Sequence, residues 1–222
     1  MRPTIVFDLD GTLADTSGDL IAAANACFRG MGAGDLLDAQ EDAATALRGG
    51  RAMLRLGLTR LDRAGDEDEV ARQYPLLLQH YESAIDTHTT LYPGVMEAIA
   101  RLKSRDMGVS ICTNKPEGLA RLLMSKLGVL DQFDALVGAD TLPTFKPDPA
   151  PYIEAVNRAG GDAARSLLVG DSETDHLTAR AAGVPSVLVS FWPGQPDIAA
   201  LQPEAVLDHF DALDDVVTRL LL

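Results

Sequence analysis

The sequence predicts an α/β protein in which a Rossmann-like open parallel sheet carries an inserted, all-helical domain. Short β-branched and aliphatic runs alternate with helical patterns along most of the chain. This alternation is typical of parallel sheets, because each crossover between parallel strands needs a connection long enough for a helix. A long stretch after the first strand pattern contains helical patterns alone, which predicts a separate helical domain.

Five apolar runs are predicted to be buried strands, because they are short, rich in β-branched or aliphatic residues and bounded by Gly, Pro, Asp or Asn. The runs cover residues 4–7, 109–112, 135–138, 166–169 and 186–190. Apolar residues at helical spacing predict four helices in the same part of the chain. Those helices cover residues 95–105, 118–127, 150–159 and 175–182.

Residues 17–87 are predicted to form a helical cap inserted after the first strand. The segment is rich in Ala, Leu, Arg and Asp, and glycines separate its helical patterns. Such glycines are typical of turns between helices. Helices are predicted over residues 21–28, 41–47, 52–56 and 69–85. The α/β core would then comprise residues 1–16 and 88–222.

The composition limits the classes of partner. The 222 residues carry a formal net charge of −14, and 46% of them are hydrophobic and 23% charged. These proportions are typical of a globular protein. The acidic balance argues against nucleic acid and anionic membrane surfaces as partners, because both attract basic faces. A small anionic ligand stays compatible with it, since a metal ion and a few lysines can reverse the field locally.

The two cysteines, Cys27 and Cys112, are far apart in the sequence and form no CxxC motif. We therefore expect two reduced, buried thiols rather than a disulfide framework. No apolar run reaches the length of about 20 residues that a membrane span needs. The first residues also lack the apolar region of a signal peptide. Together these features predict a cytoplasmic protein.

Polar residues follow the predicted strands at the edge of the sheet where ligands bind in this fold class. Asp8 and Asp10 come directly after the first strand, and Gly11 allows a sharp turn behind them. Two carboxylates this close repel each other unless a proton or a cation lies between them. A divalent metal would serve, and an oxygen-rich site favours Mg²⁺. The alternative is a plain turn, in which Asp and Gly are common.

Four motifs occur in a fixed order along the chain. They are Asp8-Leu9-Asp10-Gly11-Thr12-Leu13, Thr113-Asn114, Lys146-Pro147 and Gly170-Asp171-Ser172 with Asp175. In this order the sequence resembles the haloacid dehalogenase superfamily, and within it the phosphatases with a helical cap after the first strand. The resemblance covers nearly the whole chain and includes the position and size of the cap.

The resemblance implies a role for each carboxylate of the first motif. Asp8 would be the nucleophile that forms an aspartyl-phosphate, and Asp10 the general acid and then the general base. Mg²⁺ would be held by the Asp8 side chain, the Asp10 backbone carbonyl and Asp171. The metal would screen the nucleophile from the anionic phosphate.

The other motifs are expected to bind phosphate or support the metal ligands. The resemblance implies phosphate contacts from Thr113, Asn114 and Lys146, and a supporting shell around the metal from Gly170, Ser172 and Asp175. Each residue also has a simpler interpretation when it is taken alone. Thr113 would cap the next helix, Lys146 would be a solvated surface lysine, and Asp175 would interact with a helix dipole.

Two observations select among members of the superfamily. The dehalogenases of the superfamily lack an aspartate at the position of Asp10. The phosphonate-cleaving relatives use a lysine in their caps, and residues 17–87 of this chain contain no lysine. The sequence resembles the phosphoglycolate phosphatases most, which implies hydrolysis of 2-phosphoglycolate or a similar small phosphorylated metabolite. A β-phosphoglucomutase-like isomerase that uses the same intermediate is the alternative. A non-catalytic protein that binds phosphorylated ligands is a third hypothesis, and the presence of both Asp8 and Asp10 argues against it.

Substrate specificity is expected to lie in the cap. Arg48, Gly49 and Gly50 interrupt a helical pattern and resemble the substrate loop of this cap type, so Arg48 would pair with a substrate carboxylate. The alternative is a helix–helix turn with a solvated arginine. His176 either lines the site or is structural. The oligomeric state is expected to be a monomer or a homodimer.

Overall fold

Six parallel strands form the central sheet of the computed structural model, which describes residues 1–192 and 197–222. Two further short strands pair with each other. In chain order the strands are β1 (Arg2–Phe7), β2 (Ala14–Asp15), β3 (Thr90–Leu91), β4 (Gly108–Cys112), β5 (Ala135–Val137), β6 (Gly161–Gly170), β7 (Ser186–Val189) and β8 (Ala205–Leu207). The order in the large sheet is β5-β4-β1-β6-β7-β8. The predicted fold class is therefore confirmed.

Nine α-helices lie in the described residues. They are α1 (Ser17–Gly30), α2 (Ala43–Ala46), α3 (Gly50–Arg60), α4 (Glu67–Ser83), α5 (Val95–Ser104), α6 (Glu117–Lys126), α7 (Ala150–Arg158), α8 (Glu173–Ala182) and α9 (Leu213–Leu221). Across residues 1–192 and 197–222, none of the helices has the length and apolar character needed to cross a membrane.

The register of the sheet brings three strand ends level with one another. In β1, Phe7 pairs with Ile111 of β4 on one side and with Val169 of β6 on the other. All five residues of β4 are buried, as are the last four of β1. Burial on both faces explains why these strands read as continuous apolar runs rather than as alternating patterns. The residues that follow β1, β4 and β6 consequently lie at the same edge.

Two compact units divide the chain. One unit comprises Met1–Ala14 and Leu91–Leu222, and the other comprises Asp15–Thr90. The predicted cap, residues 17–87, lies inside the second unit. That unit contains α1 to α4, and its helices pack closely: a Cβ added at Gly57 would lie 2.1 Å from Cζ of Phe28. Asp66 begins α4 by accepting a hydrogen bond from the Glu69 backbone amide at 3.0 Å.

Both cysteines are free and buried, as predicted. Burial raises the pKa of Cys27 to about 11 and that of Cys112 to about 12. At neutral pH both side chains are therefore protonated thiols, which are poor nucleophiles.

Several elements differ from the sequence prediction. Strand β6 begins at Gly161, before the predicted apolar run at 166. The sequence does not predict this first part of the strand because it is only partly buried and carries polar residues. Strand β8 and helix α9 were not predicted; β8 has only three residues, and its central Val206 is exposed. The predicted helix over 41–47 is a single turn, Ala43–Ala46. The loop after the last predicted strand, Phe191-Trp192-Pro193-Gly194, has its last two residues outside the described ranges.

Candidate active site

The turn after β1 presents the first two carboxylates. The Asp8 amide donates to the Val169 carbonyl at 2.9 Å, which continues the pairing of β1 with β6. The chain then reverses at Gly11, whose φ of 80° lies in the region that favours glycine. The side chains of Asp8 and Asp10 are 13% and 18% exposed, so both remain accessible at the strand end.

Lys146 lies beside Asp8 and is buried. Its Nζ atom is 3.0 Å from Asp8 Oδ1 and 2.6 Å from Asp175 Oδ1, and its side chain is 2% exposed. Burial alone lowers the pKa of Lys146, but the charges of Asp175 and Asp8 outweigh it and raise the pKa above its usual value. The ammonium is therefore a fixed positive charge, and the interpretation of Lys146 as a solvated surface lysine is wrong.

Asn114 holds the backbone of the Lys146 loop. Its side-chain amide donates to the Lys146 carbonyl at 2.9 Å and accepts from the Lys146 amide at 3.0 Å. The next peptide bond, Lys146-Pro147, is cis. The Lys146 backbone thus engages the acceptor and one donor of the Asn114 side chain, which favours the Asn114 backbone amide as the donor of a phosphate contact.

Thr113 continues β4 by donating its backbone amide to the Val137 carbonyl at 3.0 Å. Its hydroxyl oxygen accepts from the Lys115 amide at 3.1 Å, which leaves the hydroxyl proton able to donate. The interpretation of Thr113 as a helix cap is wrong, because α6 begins behind Pro116 and has no side-chain cap.

Asp175 is fully buried at the start of α8. Its Oδ2 atom accepts from the Ser172 backbone amide at 3.2 Å, and Ser172 Oγ accepts from the Asp175 amide at 3.3 Å, which forms a capping box. The same Oδ2 atom also accepts from the Ser172 hydroxyl at 2.6 Å. A Cβ at Gly170 would lie 2.3 Å from Asp175 Cγ, so only glycine leaves room for this carboxylate. Asp175 thereby joins the β6–α8 turn to Lys146.

Three carboxylates converge on one point. Asp8, Asp171 and Asp175 each place an oxygen within 4.8 Å of the others. Asp171 is buried and accepts from the Thr12 hydroxyl at 3.2 Å. Burial, with the charges of Asp175 and Asp8, raises the pKa of Asp171 well above its usual value. Burial likewise raises the pKa of Asp8 to about 6, with Lys146 opposing the shift and Asp175 and Asp10 adding to it.

This donor set fits a divalent metal ion. The Asp8 Oδ1 atom is buried and, apart from its ion pair with Lys146, has no hydrogen-bond partner among the described residues. A cation bound by the carboxylates would satisfy that atom and relieve the repulsion that raises their pKa values. Carboxylate oxygens are the ligands that Mg²⁺ prefers.

Asp10 has a partner that sequence reasoning did not identify. The Lys115 ammonium donates to Asp10 Oδ1 at 2.7 Å, and the Lys115 side chain is 4% exposed. Lys115 follows the Thr113-Asn114 motif, yet no local pattern shows which carboxylate its side chain reaches. The same holds for the bond between Thr12 and Asp171.

His176 is structural. Its ring Nδ1 lies 2.9 Å from the Ser186 hydroxyl, which in turn donates to Glu204 at 3.0 Å. These contacts tie α8 to β7 and to the segment before β8. The side chain therefore serves packing between these elements.

The predicted substrate loop lies in the second unit. Gly49 has a φ of 96° and directly precedes α3, which Gly50 begins, so the predicted interruption of the helical pattern is confirmed. Arg51 lies over the Tyr74 ring, 4.2 Å from its centroid. Arg48 is exposed. A contact between Arg48 and substrate stays a prediction.

Comparisons with known proteins agree with the motif set. The family model described as haloacid dehalogenase-like hydrolase matches residues 5–189. A phosphoglycolate phosphatase from Mesorhizobium japonicum is 42% identical over 96% of this chain and 93% of its own length. One from Rhodospirillum rubrum is 38% identical over 97% of this chain and 90% of its own length.

A solved structure shows the same fold. The crystal structure of a predicted phosphoglycolate phosphatase from Haemophilus somnus 129pt superposes with a TM-score of 0.82 at 25% identity, covering 97% of each chain. The family match spans the strand ends that carry Asp8, Thr113 and Asp171 and the loop that carries Lys146. The chain therefore belongs to the haloacid dehalogenase-like hydrolases, and it is an enzyme of that family.

Proposed function

We propose that this enzyme is a Mg²⁺-dependent phosphatase that hydrolyses small phosphate monoesters, with 2-phosphoglycolate as its substrate. The observation that carries the proposal is the pairing of Asp8 with the buried Lys146, 3.0 Å away, next to Asp171. This arrangement sets a nucleophile beside a fixed positive charge and a group of metal ligands. The relatives at 42% and 38% identity are phosphoglycolate phosphatases, which supports the substrate.

In the first step Asp8 attacks phosphorus. A bond forms between an Asp8 carboxylate oxygen and phosphorus while the bond from phosphorus to the leaving oxygen breaks. Asp10 donates its proton to that leaving oxygen, so glycolate departs as the alcohol. Lys146 offsets the charge on Asp8 and on the phosphoryl oxygens, and the Thr113 hydroxyl and the Asn114 amide donate hydrogen bonds to those oxygens.

In the second step water hydrolyses the aspartyl-phosphate. Asp10, now a carboxylate, accepts the proton of the water that attacks phosphorus. The bond from phosphorus to Asp8 breaks, inorganic phosphate leaves and the Asp8 carboxylate is restored. Asp10 regains its proton, so the cycle closes without any other acid or base.

Mg²⁺ would be held by the Asp8 carboxylate, the Asp10 backbone carbonyl and Asp171, with support from Gly170, Ser172 and Asp175. When bound, it neutralises charge on the nucleophile and the phosphate. Two observations support this assignment: Asp10 directs its side chain to Lys115, and both carboxylate oxygens of Asp175 are bonded to Lys146 and Ser172.

The cap segment, residues 17–87, would select the substrate. Arg48 is its candidate for a carboxylate contact, because a guanidinium can bind a carboxylate through two parallel hydrogen bonds. As part of the same proposal the enzyme acts in the cytoplasm, where small phosphorylated metabolites are made and consumed.

A panel of phosphate monoesters tests the function. The enzyme is treated with a chelator and assayed for phosphate release with and without added Mg²⁺. We expect release from 2-phosphoglycolate that depends on Mg²⁺. No release from any monoester under any condition would contradict the phosphatase proposal, whereas conversion of glucose 1-phosphate without net release would support the isomerase.

A further inference from the structure

We propose that Lys115 binds the carboxylate of the substrate and so makes the α/β core itself selective for 2-phosphoglycolate. The inference rests on the proposed function. Its basis is the contact between the buried Lys115 ammonium and Asp10 Oδ1, 2.7 Å apart. Both residues belong to the same compact unit.

The position of the leaving oxygen is fixed by the chemistry of Asp10. To protonate that oxygen, the Asp10 carboxyl must come within hydrogen-bond distance of it. In 2-phosphoglycolate one methylene carbon separates the ester oxygen from the carboxylate. The carboxylate of the bound substrate must therefore lie close to Asp10, which is the neighbourhood that the Lys115 ammonium occupies.

The charges in this neighbourhood favour the same contact. Once Asp10 has given its proton to the leaving oxygen, its carboxylate lies next to the carboxylate of the departing glycolate, and the two repel each other unless a cation lies between them. An ammonium has three donors, so Lys115 can bind Asp10 and the substrate at once. Lys146 is committed to the other end of the substrate, because its ammonium contacts Asp8 and Asp175.

The backbone holds Lys115 in place before any ligand arrives. Its amide donates to Thr113 Oγ1 at 3.1 Å, and its carbonyl accepts from the Ala139 amide at 3.0 Å. The burial of its side chain restricts it further. A group that is already ordered loses little entropy when it binds, which favours a strong contact with the carboxylate.

The test compares two substrates that differ at one group. One is 2-phosphoglycolate, and the other is 2-hydroxyethyl phosphate, in which a hydroxymethyl group replaces the carboxylate. Lys115→Met is expected to lower kcat/KM for both, since Asp10 loses its ion pair with Lys115. The loss for 2-phosphoglycolate should be at least about tenfold greater, the size expected for one charge-assisted hydrogen bond.

Three further variants make the test specific. Lys115→Arg keeps the charge and should retain most of the preference for 2-phosphoglycolate. Lys115→Gln keeps a neutral donor and should lose that preference, which gives the same answer if the methionine variant folds poorly. The matched control is Lys126→Met, which removes an exposed lysine at the end of α6 and should change neither rate.

The outcomes separate this inference from the function on which it rests. Equal losses for the two substrates would show that Lys115 acts through Asp10 alone and would overturn the inference. A wild-type enzyme that hydrolyses both substrates equally well would also overturn it, with the phosphatase proposal intact. Failure of the wild-type enzyme to release phosphate from any monoester would instead refute the proposed function and, with it, the inference.

Discussion

The Lys146 ammonium donates a 2.6 Å hydrogen bond to Asp175 Oδ1, across 29 positions of sequence and between two buried side chains. The same ammonium lies 3.0 Å from Asp8. Asp175 thus holds the cation beside the candidate nucleophile. The Ser172 hydroxyl holds Asp175 in place, and the Asn114 side-chain amide holds the Lys146 backbone. A change at any of these supports should reach Asp8 through Lys146.

Removing the carboxylate of Asp175 should destabilise the protein. Asp175→Ala leaves a buried ammonium without its nearest partner, and breaking one side of a buried ion pair costs about 3–5 kcal/mol. The free energy of unfolding from urea denaturation measures this effect. Asp131→Ala, at an exposed position, is the matched control and should cost less than about 1 kcal/mol. Equal costs for the two variants would contradict the role of Asp175.

Removing the charge of Asp8 should have the opposite effect on the metal-free protein. Burial raises the pKa of Asp8 from 3.8 to about 6 in the native state. Above pH 6 the native state therefore carries a charged carboxylate, and ionising it costs more free energy there than in the unfolded chain. Stability from this group is therefore lost as the pH rises from about 4 through 6. Asp8→Asn should abolish activity yet stabilise the protein by about 1–3 kcal/mol at pH 8.

Thermal melts of the chelated protein at pH 8 and pH 5 check this prediction. The advantage of Asp8→Asn should shrink at pH 5, where the wild-type carboxyl is largely protonated, and it should also shrink when Mg²⁺ is added to the wild type at pH 8. A wild-type protein more stable than the variant at pH 8 without metal would contradict the pKa shift and its cause.

Magnesium affinity should rise with pH. The pKa values of Asp8 and Asp171 are raised, and a metal binds the deprotonated carboxylates, so bound protons must leave first. Calorimetric titrations with Mg²⁺ at pH 5.5 and 7.5 should show tighter binding at the higher pH. Asp171→Asn should weaken binding at both. An affinity that is the same at the two pH values would be inconsistent with protonated ligands.

A single methyl group at Gly170 should disrupt the site. Gly170→Ala places a Cβ 2.3 Å from Asp175 Cγ, which forces Asp175 to shift and draws Lys146 from its position beside Asp8. We expect kcat to fall at least about tenfold, since small misplacements of catalytic groups are costly. The control is Gly118→Ala in α6, where a Cβ meets nothing within 4 Å and alanine favours the helix. Similar activities for the two variants would rule out the crowding argument.

The sequence predicts the parts of this molecule that local patterns determine. Asp8 and Asp10 follow a buried apolar strand and precede a glycine, so both the strand end and the carboxylate pair are visible within a few residues. Lys146 and Asp171 were identified through the order of motifs. The capping box at Ser172 and Asp175 is local too, and a search for helix N-termini would find it.

The contacts between distant segments could not be predicted in this way. Lys115 and Asp10 are 105 positions apart, and Thr12 and Asp171 are 159 positions apart. Which side chains meet depends on the register of β4 and β6 against β1, and periodicity does not fix that register. Strand β8 could not be predicted because it has only three residues, and its middle residue is exposed, so it shows almost no hydrophobic periodicity.

The central claim is that Asp8 carries the phosphoryl group, and chemical trapping tests it most directly. An Asp10→Asn variant lacks the base for the second step, so with p-nitrophenyl phosphate, whose leaving group needs no acid, the intermediate should accumulate. Borohydride reduces an acyl phosphate to an alcohol, which would convert Asp8 into homoserine. Peptide mass spectrometry should find homoserine at position 8 only when substrate and Mg²⁺ are present. Homoserine at another aspartate, or an unmodified position 8 while p-nitrophenol is released, would contradict the account.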